Sequence, residues 1–151
     1  MDAFAADVLI FAAAPEHPLG QRIRALFPAE ADSAAESPAG VGSVLLLPEV
    51  LSRPMQHDCT DELTVLAALL ALLDLRPVDR ATAELATALG ATYRLRAADA
   101  VHLATAVMAG ADRFITDNRR DFSAAIDEIA VTYPDALPDP NGGVPASVGT
   151  D

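Results

Sequence analysis

Short β-like runs alternate with helical segments along most of this 151-residue chain, and that order restricts the fold more than any other feature. "PLGQRIRALF", 18–27, places Leu19, Ile23, Leu26 and Phe27 at helical spacing. "SVLLL", 43–47, reads as a buried strand, after which Pro48 opens a helix in its first turn and puts Glu49 just past the strand. "TDELTVLAALLALL", 60–73, is predicted helical, with Thr60 as N-cap and Asp61 and Glu62 in the first turn. "LRPV", 75–78, is predicted as a short strand, and "DRATAELATALG", 79–90, as a helix from a capping Asp79 to Gly90 at C′. "RAADAVHLATAVMAG", 96–110, is a helix stopped by Gly110, and "DRFIT", 112–116, and "EIAVTY", 128–133, are strands. Residues 2–14, "DAFAADVLIFAAA", are apolar almost throughout, and periodicity alone does not separate strand from helix there. "PAEADSAAESPAGVG", 28–42, reads as a mobile loop. From Pro134 onward the Pro/Gly-rich sequence has no core-forming pattern, so 1–133 is the expected domain and 134–151 a disordered tail.

This alternation predicts an α/β fold, a mainly parallel sheet with helices on both faces. In such folds the working site lies beyond the carboxyl ends of the strands. Asp7 falls near the end of the first strand, Glu49 after the second and Asp117 after "RFIT", while Asp99 heads the helix before that last strand. These acids are positioned to converge on one pocket.

Composition narrows the chemistry. At 52% apolar and 21% charged residues the chain is globular, and its length suits one domain with a proper core. It has no apolar stretch long enough for a membrane span and no basic leader segment. The lone Cys59 cannot form an internal disulfide, which points to a reducing cytoplasm, and it reads as a small buried hydrophobe. Net charge is −12 and every cation apart from His is Arg. Without Lys, a P-loop ATPase and a Schiff-base enzyme are excluded, and a phospho-receiver domain is disfavoured. A surface this acidic does not by itself attract a polyphosphate. A divalent cation held by carboxylates would supply the missing charge.

Each acid also has a plainer reading. Asp99 suits the positive end of a helix dipole, as does Glu49 in the first turn after Pro48, and Asp7 suits a helix cap. Asp117 and Asn118 suit a turn. Asp121 is expected at the surface, and His102, three residues after Asp99, in a packing role. His17 and His57 are expected at the surface, and the His/Cys spacing supports no zinc site. The helix at 60–73 is apolar nearly all round, as expected where a partner chain covers part of it.

"LRAADAVHLATAVMAGADRFITDNRRDF", 95–122, carries an Asp-Ala pair opening a helix, a His three residues on, a glycine turn, a strand ending in Thr, and then an acid or Asn before Phe. Together with "ADVLIFAAAPEHPLGQRIRAL" and "SVLLLPEVLSRP", it resembles the PIN domain family, specifically the small VapC-like toxin ribonucleases, over about residues 2–133. The resemblance implies a three-layer α/β/α fold. It implies an endoribonuclease that uses Mg²⁺ or Mn²⁺ to hydrolyse RNA by metal-activated water. It also implies the toxin of a toxin–antitoxin system, a cytoplasmic homodimer held inactive by an antitoxin. Glu49, Asp99 and Asp117 or Asn118 would be catalytic; Asp7, Glu49, Asp99 and Asp117 would hold the metal; and Thr116 would support them. Arg119 and Arg120, next to that pocket in sequence, are placed to touch RNA phosphates.

Two positions depart from the family pattern. The Asp that ends the family's first strand falls on Ala5, with Asp7 at the later polar position; the strand then spans about 2–5 and Val8 onward is helical. In the last motif the family Asp falls on Asn118. Ala5 leaves open a degenerate, RNA- or protein-binding module, Asp7 in the ligand's place, or an introduced substitution. A phosphatase on a similar sheet is disfavoured by the missing Lys and the missing Asp-x-Asp strand end.

Overall fold

The computed structural model describes residues 1–28 and 37–142. In chain order the elements are β1 (Asp2–Phe4), α1 (Ala6–Ala13), α2 (Pro18–Arg24), β2 (Gly40–Ser43), α3 (Leu46–Gln56), α4 (Thr60–Ala71), β3 (Leu73–Arg76), α5 (Arg80–Tyr93), α6 (Ala97–Met108), β4 (Arg113–Ile115) and β5 (Ala130–Thr132). A 3₁₀ turn follows at Pro134–Ala136. The strands form one parallel sheet in the order β3-β2-β1-β4-β5. The chain builds outward from β1 to β3 and then restarts on the other side of β1. The topological switch point, where such sheets open a crevice, therefore lies between β1 and β4.

Alternation along the short strands divides the core into two layers. Phe4 and Ile115 pack with Val8, Leu9, Ile23, Leu46, Val50 and Leu66 from α1 to α4. Ala3 and Phe114 face the other way, onto Leu89, Ala100, Leu103 and Ala104 of α5 and α6. The result is the three-layer α/β/α sandwich. In α4 the buried positions are Leu66, Leu69 and Leu70, and much of its solvent-facing side is alanine.

Several expectations move. The strand expected at 43–47 ends at Ser43, and α3 begins at Leu46. Ser43 Oγ accepts the Leu45 N–H at 3.1 Å and the Val44 N–H makes the last ladder bond to the Arg76 carbonyl, so the chain turns there. An apolar triplet fits either period, and here Leu46 is buried while Leu47 is exposed. Pro48 sits in the first turn of α3, where its missing N–H leaves no intrahelical bond unmade. The strand expected at 75–78 runs from Leu73 to Arg76, ahead of Pro77. Gly90 is not a helix stop; α5 continues to Tyr93 and ends on Arg94 in the left-handed region, at φ 56°. A Cβ on Gly90 would stand 3.4 Å from that of Ala100, so the glycine lets α5 lie close on α6. Cys59 is exposed, and His17 caps α2 by accepting the Gly20 N–H at 3.1 Å.

The largest correction is at the C-terminus. Leu137, expected in a disordered tail, is 2% exposed within the core layer of α1 to α4. Arg22 donates to the carbonyls of Asp135 and Leu137, each at 2.9 Å, and so fixes the strap that the turn begins. The Pro/Gly-rich composition conceals one apolar anchor and carbonyls bound by a distant Arg. Residues 143–151, and 29–36 of the loop expected to be mobile, lie outside the described residues. Leu137→Ala is expected to cost about 2–5 kcal/mol of stability. Denaturant unfolding of the full chain measures it, and a change within 0.5 kcal/mol, roughly that of a surface substitution, would count against an anchored strap.

Candidate active site

β1 and β4 end side by side, and the residues that follow them form the floor of a small cavity. Ala5, Ala6 and Asp7 come from the end of β1 and the start of α1, and Thr116 and Asn118 from the end of β4. Glu49 reaches in from the first turn of α3, and Asp99 and His102 from α6, with Phe122 closing one side. The cavity measures about 180 Å³. Of the acids singled out in the sequence, Asp7, Glu49 and Asp99 meet here, as does Asn118. The side chain of Asp117 does not line the cavity.

Asp7 is tied down. Its Oδ2 accepts the Asp117 N–H at 2.8 Å, and the buried Thr116 hydroxyl stands 3.4 Å from each of its oxygens. Thr116 Oγ1 also accepts the Asn118 N–H at 3.1 Å. Asp7 thus staples the start of α1 to the end of β4. Burial is the main cause that lifts its carboxyl above the ordinary carboxylate range, against the hydrogen bonds that favour its charge.

Asp99 enters no hydrogen bond or ion pair among the described residues. Its carboxyl is also raised, first by burial and then by repulsion from Asp121 and Glu49. Asp121 is therefore not a remote surface residue. It accepts from the Asn118 amide at 2.9 Å and donates its own N–H to Asn118 Oδ1 at 3.1 Å, fixing the side chain that lines the cavity. Spacing from Asn118, an Asx turn closed by an acid three residues on, was the signal for it.

Glu49 and His102 are bonded, Oε2 to Nε2 at 2.8 Å, with the imidazole 3% exposed and Glu49 33%. Arg119 is engaged elsewhere: its guanidinium lies 4.2 Å from the centroid of Tyr133 and pairs with Asp135 at 2.6 Å. Arg120 is exposed and enters no ion pair among the described residues.

The family resemblance implies a divalent cation, and the donor set can be tested against one. The donors are hard oxygens, as Mg²⁺ or Mn²⁺ requires. Among the described residues no three His, Cys, Asp or Glu side chains lie close enough together to share an ion. The four-acid metal group of Asp7, Glu49, Asp99 and Asp117 is thus not assembled: Asp7 is committed to backbone, Asp117 lies off the cavity, and Ala5 brings no ligand. Glu49 and Asp99 remain. A pair of carboxylates fits an ion such as Mg²⁺, which keeps most of its waters and is often bound through one or two carboxylates.

Residues 9–127 match the PIN domain family, and the chain belongs to it. The match begins after Ala5 and Asp7, so the first acidic motif lies outside it. The fold is similar to that of a chain in a toxin-antitoxin complex from Klebsiella pneumoniae, with a TM-score of 0.69 and 23% identity over 89% of this chain and 98% of that one. No curated protein sequence matches. No helix among the described residues is long and apolar enough to cross a membrane.

Because the fold raises the carboxyl of Asp7, the folded chain binds its proton more tightly than the unfolded chain does. The resulting stability is present at acid pH and is lost as pH rises through the folded-state value. Asp7→Asn, which stays neutral and still accepts the Asp117 N–H, is expected to be more stable than the parent at pH 7 and equal to it near the unfolded carboxylate range at about pH 4. Denaturant midpoints at the two pH values check this; a variant less stable at pH 7 would show that Asp7 is held as a favoured anion.

Proposed function

We propose that this protein is a metal-dependent endoribonuclease of the PIN class and the toxin of a toxin–antitoxin pair. One observation carries the reading: Glu49, Asp99 and Asn118, from three separate segments, face one cavity at the switch point of the sheet. Glu49 and Asp99 would hold Mg²⁺ or Mn²⁺. When bound, such an ion neutralises charge at a phosphodiester and lowers the pKa of a water.

The chain's own groups do the rest. Asp121 locks the Asn118 amide, and Asp7 holds the end of β4 so that Asn118 stays at the rim. A cation beside Asp99 would relieve its repulsion from Asp121 and Glu49. Of the two arginines expected to touch RNA because they follow the pocket's last motif, Arg120 is available to a phosphate, while an RNA must draw Arg119 away from Asp135. A cytoplasmic setting, self-association and an antitoxin seated over the site belong to the same reading. The likeness to a chain from a toxin-antitoxin complex and a net charge of −12, which suits a basic inhibitor, support it.

Ala5 favours a second reading, a PIN fold that binds RNA or protein and cuts nothing. Cleavage of a mixed RNA pool with Mg²⁺ or Mn²⁺ separates the two. The parent is expected to be weak and Ala5→Asp to gain at least 10-fold, on the order of one interaction with the transition state. Adding Asp99→Asn to Ala5→Asp is expected to abolish cleavage. Folded variants that are all inactive would leave the binding module standing.

A further inference from the structure

We propose that His102 is a positioning residue for Glu49: its Nε2–H holds the Glu49 carboxylate over the cavity that Asp99 lines. The inference deepens the nuclease reading and rests on it.

The bond joins the two helical layers. Glu49 stands in the first turn of α3, packed on one face of the sheet, and His102 belongs to α6 on the other. At 2.8 Å the contact spans the carboxyl edge of the sheet. Glu49 is a third exposed, and a free Glu at such a position samples many rotamers in water. His102 is 3% exposed and makes no other side-chain bond, because its Nδ1 is buried without a partner among the described residues. A buried nitrogen left unpaired is unfavourable, and an apolar side chain of similar size would fill this layer without it. A packing role therefore does not account for the imidazole, whereas the bond to Glu49 does.

Spacing supplies the second half. Asp99 and His102 lie three apart on α6 and so share a face. A carboxylate bonded to His102 is thereby brought beside Asp99, and its repulsion is one of the causes that raise Asp99. His102 lets α6 supply one carboxylate directly and hold the other from a different layer. In a site that lacks a ligand at Ala5, the placement of the remaining pair decides whether an ion is held.

The test is Mn²⁺ titration of the full chain by calorimetry, with thermal unfolding beside it. It compares the parent, His102→Leu, His102→Asn and His102→Gln, each also carrying Ala5→Asp. His102→Leu keeps the volume and loses the donor, and His102→Asn has an amide too short to span the gap; both are expected to weaken Mn²⁺ binding about 10-fold or more, as loss of a group orienting a ligand does. His102→Gln, whose amide reaches as far as Nε2, is expected to restore most of the affinity. Folded Leu and Asn variants that bind Mn²⁺ as the parent does would overturn the positioning role and leave the nuclease reading intact. A Gln variant as weak as Asn would overturn the donor role in the same way. No Mn²⁺ binding by the parent or by Ala5→Asp would overturn both readings.

Discussion

The architecture depends on a strand of three residues. β1 pairs with β4 along its whole length, Asp2 to Arg113, Ala3 to Phe114 and Phe4 to Ile115, and with β2 at Ala3 and Val41. The ladder is extended at both ends, where the Asp112 N–H donates to Met1 and the Ala5 N–H to Ile115. Asp2 and Arg113 add a two-pronged ion pair at 2.7 and 3.2 Å across the same register. Parallel pairing gives no tight turn to set register, so these contacts have to. A slip by one residue would exchange Ala3 with Phe4 between the two core layers and carry Asp7 away from Thr116. Gly40 guards the other side, where a Cβ would meet the Asp2 carbonyl at 2.5 Å and the Phe4 ring at 2.6 Å.

The site inherits its geometry from that ladder. Because β1 and β4 finish level, the amide of Asp117 meets the carboxylate of Asp7, and Asn118 is turned to the cavity in place of its acidic neighbour. Two adjacent polar residues at a strand end face opposite ways, and which one faces inward depends on where the strand stops. That is a tertiary fact. Sequence could narrow the pair to Asp117 and Asn118, and only the register decides between them.

The parts of the fold legible in the sequence were those fixed by local chemistry. Asp79 caps α5 by accepting the Thr82 N–H at 2.8 Å, and Gly110 ends the turn after α6 with φ 70°. The alternation of strand and helix, and with it the layer order, followed from such signals. Asp7, Glu49 and Asp99 were legible as converging acids because strand ends in a parallel sheet share one side. What escaped depended on partners far along the chain. Leu137 joins the core beside backbone carbonyls that Arg22 binds, and Arg119 is held by Tyr133 and Asp135. The "SVLLL" run satisfies both periods, and the strand itself lies three residues earlier, at Gly40–Ser43.

Ala5 stands where these lines meet. It is 6% exposed, it lines the cavity, and it also packs in the layer of Val41 and Ala100. A carboxylate there would be desolvated beside Asp7 and Asp99, both of which burial already lifts above the usual range. A further negative charge at this depth is unfavourable, since among the described residues only His102 and Arg96 offset the charge at Asp99. The alanine therefore favours the fold as it stands. The hydrogen bonds that fix Asp7, Asn118 and Glu49 preserve the shape of the cavity around it.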